Sequence, residues 1–291
     1  METSELLKRV RKIEIKTRGL SNQIFSGEYH SAFKGRGMTF SEVREYMPGD
    51  PIRSIDWNVT ARLNEPYVKV FEEEREITLM LIIDISGSEN FGSKSQLKRD
   101  LITEVAAVLA FSAAQNNDKV GVILFTDKVE KFIPPKKGKT HILRIIRELI
   151  DFTPEGKGTD INEALRFFSN VTKKRSIAFL ISDLLDADYK KSLQIANKRY
   201  DMVTLIPRDR AEDQLPELGL IPMQDSETGQ TMWVDSSNRK VRDEYAKARK
   251  VHQLKAEDVL KKSGVDFTDI YTGQSYVKPL IQLFKQREAK R

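Results

Sequence analysis

Asp84-Ile85-Ser86-Gly87-Ser88 sets one carboxylate and two hydroxyls on alternate residues. Three oxygen ligands can then turn toward one point, while Gly87 lets the backbone bend without a Cβ clash. Gly158-Thr159-Asp160 adds a hydroxyl and Ser182-Asp183 adds a second carboxylate. Such a set suits a hard divalent cation, Mg²⁺ or Mn²⁺, because these ions prefer oxygen and Mg²⁺ keeps waters where protein ligands are few. The candidate ligands are Asp84, Ser86, Ser88, Thr159 and Asp183. For the first fragment alone, an ordinary strand-to-helix turn with serine caps is the competing explanation. The 291 residues hold no cysteine and only three dispersed histidines, His30, His141 and His252. Disulfides, thiolate zinc sites and cysteine nucleophiles are therefore excluded, and a histidine-rich metal site is disfavoured.

These fragments need elements to place them. Ile77 to Ile83 is apolar on successive positions, as expected of a strand buried on both faces. Further strands are expected at Val120–Phe125, Val129–Ile133 (an edge stopped by Pro134-Pro135), Ser176–Ile181, Met202–Ile206 and Val265–Ile270. Helices are expected near 95–115, with Leu97, Leu101, Val105 and Val108 inward, and near 140–151, from 161, and at 189–198, 240–262 and 276–286. Asp160 is the expected N-cap of the helix from Ile161. This alternation predicts an α/β fold with a doubly wound, mostly parallel sheet. Ligands in such sheets bind beyond the strand carboxyl ends where the strand order reverses. Asp84, Ser86, Ser88, Thr159 and Asp183 converge there if the first and third central strands are neighbours.

Two segments break the rhythm. Residues 1–75 are expected to form an amino-terminal extension and a small β-rich lobe with Trp57 as its apolar anchor, and 76–291 the main domain. Within the latter, about 208–238 should carry an inserted hairpin around Ser226-Glu227-Thr228-Gly229. Arg44, Asp50, Arg53, Asp56 and Arg62 form either an internal ion-pair scaffold or a docking surface. Arg36 has no evident local acidic partner.

The longest nearly apolar run, Val105 to Ala114, is about half of what a bilayer requires. The charged start of the chain lacks the apolar centre of a signal peptide. A cytoplasmic protein without a transmembrane segment is expected. The surplus of six positive charges is modest for this length.

The Asp-x-Ser-x-Ser, Thr, Asp order resembles the metal-ion-dependent adhesion site (MIDAS) of von Willebrand factor A domains. The block GRGMTFSEVREYMPGDPIRSIDWNVTAR, followed by PYVKVFEEERE, narrows this: the chain resembles the bacterial family catalogued as domain of unknown function 58. That resemblance spans nearly the whole chain and implies association with a MoxR-type AAA+ ATPase in complex assembly or chaperone-like maturation. It also implies that Ser86, Ser88 and Thr159 contact the ion directly and that Asp84 and Asp183 act mainly through water. An open coordination position would then take an Asp or Glu carboxylate from a protein partner. Where many relatives have Met, this chain has Glu89, which joins Arg36, Arg44, Arg53 and Arg62 in the expected partner-binding set. Its carboxylate is expected to face solvent, the alternative being that it lies near the ion and mimics the partner's.

Other functions fit less well. A haloacid-dehalogenase-like phosphohydrolase needs a second Asp two residues after the nucleophile, and Ser86 stands there. A serine hydrolase lacks a Gly-x-Ser-x-Gly elbow. Gly35-x-Gly37 lacks the context of a dinucleotide site. A nucleic-acid-binding module is the main alternative, on the basic end Lys285 to Arg291, but acids interleave with bases throughout. The expected function is thus a non-enzymatic, metal-dependent protein-binding module.

Overall fold

The computed structural model describes residues 11, 13–14, 39–72, 77–92, 96–186, 188–224 and 229–290. Arg36, His30 and the Ser226-Glu227-Thr228 part of the expected hairpin turn lie outside them. Residues 39–72 and 77–290 belong to separate compact units.

In the first unit, β1 (Thr39–Glu45) pairs antiparallel with β2 (Tyr67–Glu72), and helix α1 (Trp57–Leu63) lies between them in sequence. Pro48-Gly49 makes the turn its composition predicts: Asp50 N donates to Met47 O at 3.0 Å and Gly49 has φ 112°, a sign of φ that glycine adopts without penalty. Arg44 clamps this turn through two 2.8 Å hydrogen bonds to the Asp50 carboxylate. Asp56 caps α1 by accepting from Asn58 N and Val59 N, and pairs with Lys69 at 3.4 Å. Trp57 is not an apolar anchor. It is the first residue of α1 and is 65% exposed.

The second unit is a six-stranded sheet in the order β10-β7-β6-β3-β4-β5. Its strands are β3 (Thr78–Asp84), β4 (Lys119–Phe125), β5 (Val129–Lys136), β6 (Ile177–Ile181), β7 (Asp201–Arg208) and β10 (Asp266–Tyr271). All neighbours are parallel except β5, which runs antiparallel to β4 at the edge. The central strands read as unbroken apolar runs because both faces are covered. Leu79, Leu81 and Ile83 pack toward helices α2 (Lys98–Gln115), α3 (Lys139–Asp151) and α7 (Val277–Ala289). Met80 and Ile82 pack toward α4 (Ile161–Val171), α5 (Lys190–Arg199) and α6 (Arg239–Lys262).

Two local departures from the sequence pattern have clear causes. Strand β5 runs through Pro134-Pro135 instead of stopping there, because it is an edge strand and its register shifts opposite Gly121. Edge strands and bulges are where proline is tolerated in sheets. A Cβ on Gly121 would lie 3.0 Å from Pro135 N and 2.6 Å from Met80 Sδ, so this glycine makes room for the irregularity. Helix α2 begins at Lys98, and Leu97 is 41% exposed while Lys98 is wholly buried. Leu101, Val105 and Val108 are inward as expected, and only the first position differs, Lys98 taking the place expected of Leu97. Between β7 and α6 the inserted ribbon of β8 (Leu220–Gln224) and β9 (Thr231–Asp235) sets Pro222 opposite Trp233.

Candidate metal centre

Viewed from β3, the chain winds outward through β4 to β5, then crosses back and winds the other way through β6, β7 and β10. The reversal falls between β3 and β6, which are hydrogen-bonded neighbours in parallel register from Leu79↔Ile177 to Ile83↔Ile181. The condition for convergence is met. Asp84 ends β3, and Ser182-Asp183 follows the end of β6.

Asp84 is fully buried and held on both carboxylate oxygens. Its Oδ1 accepts from Ser86 N at 2.9 Å and its Oδ2 accepts from Ser182 Oγ at 2.7 Å. Ser86 leads into a short 3-10 turn, Gly87–Asn90, which sets Ser86 Oγ and Ser88 Oγ 3.1 Å apart. The glycine-rich loop reaches the same edge. Gly87 N donates to Lys157 O at 2.9 Å, and Asp160 N donates to Thr126 O at 2.9 Å. Thr159 lies between these two tethers, and Asp160 caps α4 by accepting from Glu163 N. Gly156 allows the close approach: a Cβ there would meet Asp127 Oδ1 at 2.0 Å and Thr126 Oγ1 at 2.3 Å.

Asp183 is buried, and the residue after it, Leu184, has φ 61°. A left-handed leucine costs roughly 1–2 kcal/mol, and such outliers concentrate at functional sites. Here the turn allows Leu184 N to donate to Ser182 Oγ at 3.0 Å, and Leu185 N to Asp183 Oδ1 at 3.3 Å.

Glu89 does not face solvent. It is buried because the turn of Gly87–Asn90 folds it inward, where its Oε1 accepts from Asp183 N at 3.3 Å. Asp84, Glu89 and Asp183 each present a carboxylate oxygen within 4.8 Å of the others. The arrangement holds a second surprise. Lys98 Nζ lies 2.8 Å from Asp183, 2.9 Å from Glu212 and 3.9 Å from Glu89. Glu212 arrives from the 3-10 turn Arg210–Glu212 after β7, fixed by a capping box with Asp209, and Arg249 of α6 stands 3.5 Å from it.

The electrostatics follow from burial. Loss of water, and then the charge of Asp183, push the Asp84 carboxyl up to about 7. Burial and Asp183 also push Glu89 well above the usual carboxylate range, against the pull of Lys98. Burial draws the Lys98 ammonium down, but Glu89, Asp183 and Glu212 outweigh it and the net shift is upward. With all groups ionised, Asp84, Glu89, Asp183 and Glu212 carry four negative charges, and among the described residues the cations paired with them are Lys98 and Arg249, which leaves two negative charges uncompensated. Buried charge of this kind must be paired, protonated or bound to a metal. The donor set and its charge therefore fit a divalent cation held by oxygen.

A family model described as protein of unknown function DUF58 matches residues 42–255. The chain belongs to that family. Uncharacterized protein Rv1480 of Mycobacterium tuberculosis (strain ATCC 25618 / H37Rv) is 24% identical over 290 residues, covering 99% of this chain and 91% of its own. Uncharacterized protein YeaD of Bacillus subtilis (strain 168) is 28% identical over 109 residues, covering 38% of this chain and 25% of its own. Among solved structures, the conserved hypothetical protein BatB from Bacteroides thetaiotaomicron is similar over 74% of this chain and 100% of its own, at 17% identity and TM-score 0.48. The SpRpn10 VWA domain covers 72% of this chain and 95% of its own, at 9% identity and TM-score 0.40. The mostly parallel six-stranded sheet with helices on both faces is the doubly wound α/β architecture of this DUF58 chain. Among the described residues, no helix is long and apolar enough to cross a membrane.

Of the candidate partner-binding residues, Arg44 is engaged with Asp50, whereas Arg53 and Arg62 are exposed. Lys98, Glu212 and Ser182 had no part in the expected site. The signal for Lys98 was present: a lone cation in phase with Leu101, Ile102 and Val105 on a face that is otherwise apolar.

Proposed function

We propose that this DUF58 chain is a metal-dependent protein-binding module, in which Asp84, Ser86, Ser88, Thr159 and Asp183 hold Mg²⁺ or Mn²⁺. The observation that carries this reading is the meeting of Asp84, Glu89 and Asp183 within 4.8 Å at the strand-order reversal, beside the paired hydroxyls of Ser86 and Ser88. When bound, the ion supplies a Lewis-acid position able to accept a carboxylate oxygen from an Asp or Glu of a protein partner. The chain's own groups do the positioning. Ser86 N and Ser182 Oγ fix both oxygens of Asp84, the Lys157 carbonyl anchors the Thr159 loop at Gly87, and Lys98 orients Asp183.

The role is read as non-enzymatic and cytoplasmic: Ser86, two residues after Asp84, has no proton to offer at neutral pH as an acid. The partner is proposed to be a MoxR-type AAA+ ATPase or its client, as the family resemblance implies. Two measurements test this together. Thermal unfolding should rise with Mg²⁺ for wild type, by roughly 1.4 kcal/mol of stability at ten times the dissociation constant, and not for Asp84→Ala. Affinity capture of the ATPase from native extract should require the divalent ion and fail in chelator. Equal thermal responses in both proteins refute the site, and capture that persists in chelator refutes the metal-bridged mode.

A further inference from the structure

Glu89 is the group in this site that neither the sequence motif nor the fold accounts for. Its Oε1 accepts from Asp183 N at 3.3 Å, whereas its Oε2 is buried and has no hydrogen-bond partner among the described residues. Among the described residues, the nearest cation to that oxygen is Lys98 Nζ at 3.9 Å, beyond hydrogen-bond reach and already taken up by Asp183 and Glu212 at 2.8 and 2.9 Å. A buried carboxylate oxygen left unmatched is costly, and such orphans in folded proteins call for an ion or a water. Glu89 also lies within 4.8 Å of ligand oxygens of Asp84 and Asp183. Both of those carboxylates have scaffold partners on the chain, so the unused lone pairs of Glu89 are the ones oriented for a new bond.

We propose that Glu89 is a further protein ligand of the divalent cation, an internal carboxylate that a partner's Asp or Glu must displace before it can bind. The inference rests on the metal site proposed above and adds a control to it. Holding its own carboxylate in place, the chain binds the ion more tightly and at the same time resists casual capture of acidic surfaces. Only a partner offering further contacts overcomes that competition. Glu89 stands three residues after Ser86 on the same short turn, so a change of that turn would couple the release of Glu89 to the position of both serine hydroxyls.

The test uses Mn²⁺ as the probe on the full chain. The Mn²⁺ electron spin resonance signal gives the dissociation constant, and water-proton relaxation reports the waters directly bound to the ion. Glu89→Gln keeps the shape and mimics the protonated acid that burial favours, so it is expected to fold. It should weaken Mn²⁺ binding about ten-fold or more and gain an inner-sphere water. Acetate, standing in for a partner carboxylate, should then displace that water at lower concentration than in wild type. Glu89→Asp, one methylene shorter, gives the same two readouts if the glutamine variant fails to fold. Unchanged affinity and unchanged relaxation in these variants, with binding lost in Asp84→Ala, would overturn the role of Glu89 and leave the site standing. Binding that is absent in wild type, or indifferent to Asp84→Ala, would overturn both.

Discussion

Replacing Lys98 with Met removes an ammonium buried among Asp183, Glu212 and Glu89 while keeping most of the side-chain volume. Lys98 is wholly buried and its two close pairs are hydrogen-bonding distances of 2.8 and 2.9 Å. Removing one partner from a buried, hydrogen-bonded ion pair costs about 3–5 kcal/mol, because the remaining charges stay in a dry site. For a domain of this size each kcal/mol moves the unfolding midpoint by roughly 2–4 °C, so a fall of about 6–20 °C is expected in chelator. Divalent metal should restore part of that loss, since it supplies positive charge to the same carboxylates. The Mg²⁺-induced rise in midpoint should therefore be larger in Lys98→Met than in wild type. The assay is thermal unfolding by circular dichroism at neutral pH, in EDTA and in excess Mg²⁺. A variant that unfolds within about 1 kcal/mol of wild type in EDTA would show that Lys98 does not hold the site together. A Mg²⁺ response smaller than that of wild type would break the link between Lys98 and the ion.

Stability of the metal-free protein should fall as pH rises from about 4 to 7. The folded-state Asp84 carboxyl, raised from 3.8 to about 7, binds a proton that the unfolded chain has already released, so its contribution is present at low pH and lost through that window. The ceiling for this one group is ~4 kcal/mol. Metal affinity, which requires ionised carboxylates, should rise over the same window, and calorimetric titration at pH 5 and 7 measures it. Asp160→Ala should cost about 1 kcal/mol from the lost cap of α4 and leave Mn²⁺ affinity unchanged, because Asp160 holds the Thr159 loop through its backbone N, which alanine keeps; a loss of affinity in calorimetric titration would show that the carboxylate also shapes that loop. Arg287→Met should destabilise by about 3–5 kcal/mol in urea titrations, since the buried guanidinium joins α7 to Asp201 and Asp266 at the starts of β7 and β10. Trp57→Ala, at a position 65% exposed, should change urea unfolding by no more than about 0.5 kcal/mol.

The sheet, its helices and the convergence of Asp84 with Asp183 are legible in the residues because each rests on a repeating physical constraint. Strands covered on both faces must be apolar on successive positions, as Leu79 to Ile83 is. Crossover connections then bring the carboxyl ends of parallel strands to one edge. What the pattern misses depends on single side chains. Leu97 and Lys98 compete for the first inward position of α2, and hydrophobicity favours the wrong one; the choice is decided by Asp183 and Glu212, which lie 85 and 114 positions further along. Glu89 is charged and lies in a turn, which signals exposure until the inward fold of Gly87–Asn90 toward Asp183 N is known. Trp57 has the composition of a core anchor, yet Asp56 caps a helix there, and a helix start fixes the direction of its side chain before packing can choose it.

The paired prolines in β5 bear on how any partner can attach. A sheet rim ordinarily invites a foreign strand to zip onto it through main-chain hydrogen bonding. Pro134 and Pro135 lack the amide protons such zipping needs, and the irregular register beside Gly121 spoils the repeat for an incoming backbone. On that flank, strand addition is disfavoured, which leaves side-chain chemistry at the loop-bearing end of the sheet as the route open to the proposed partner.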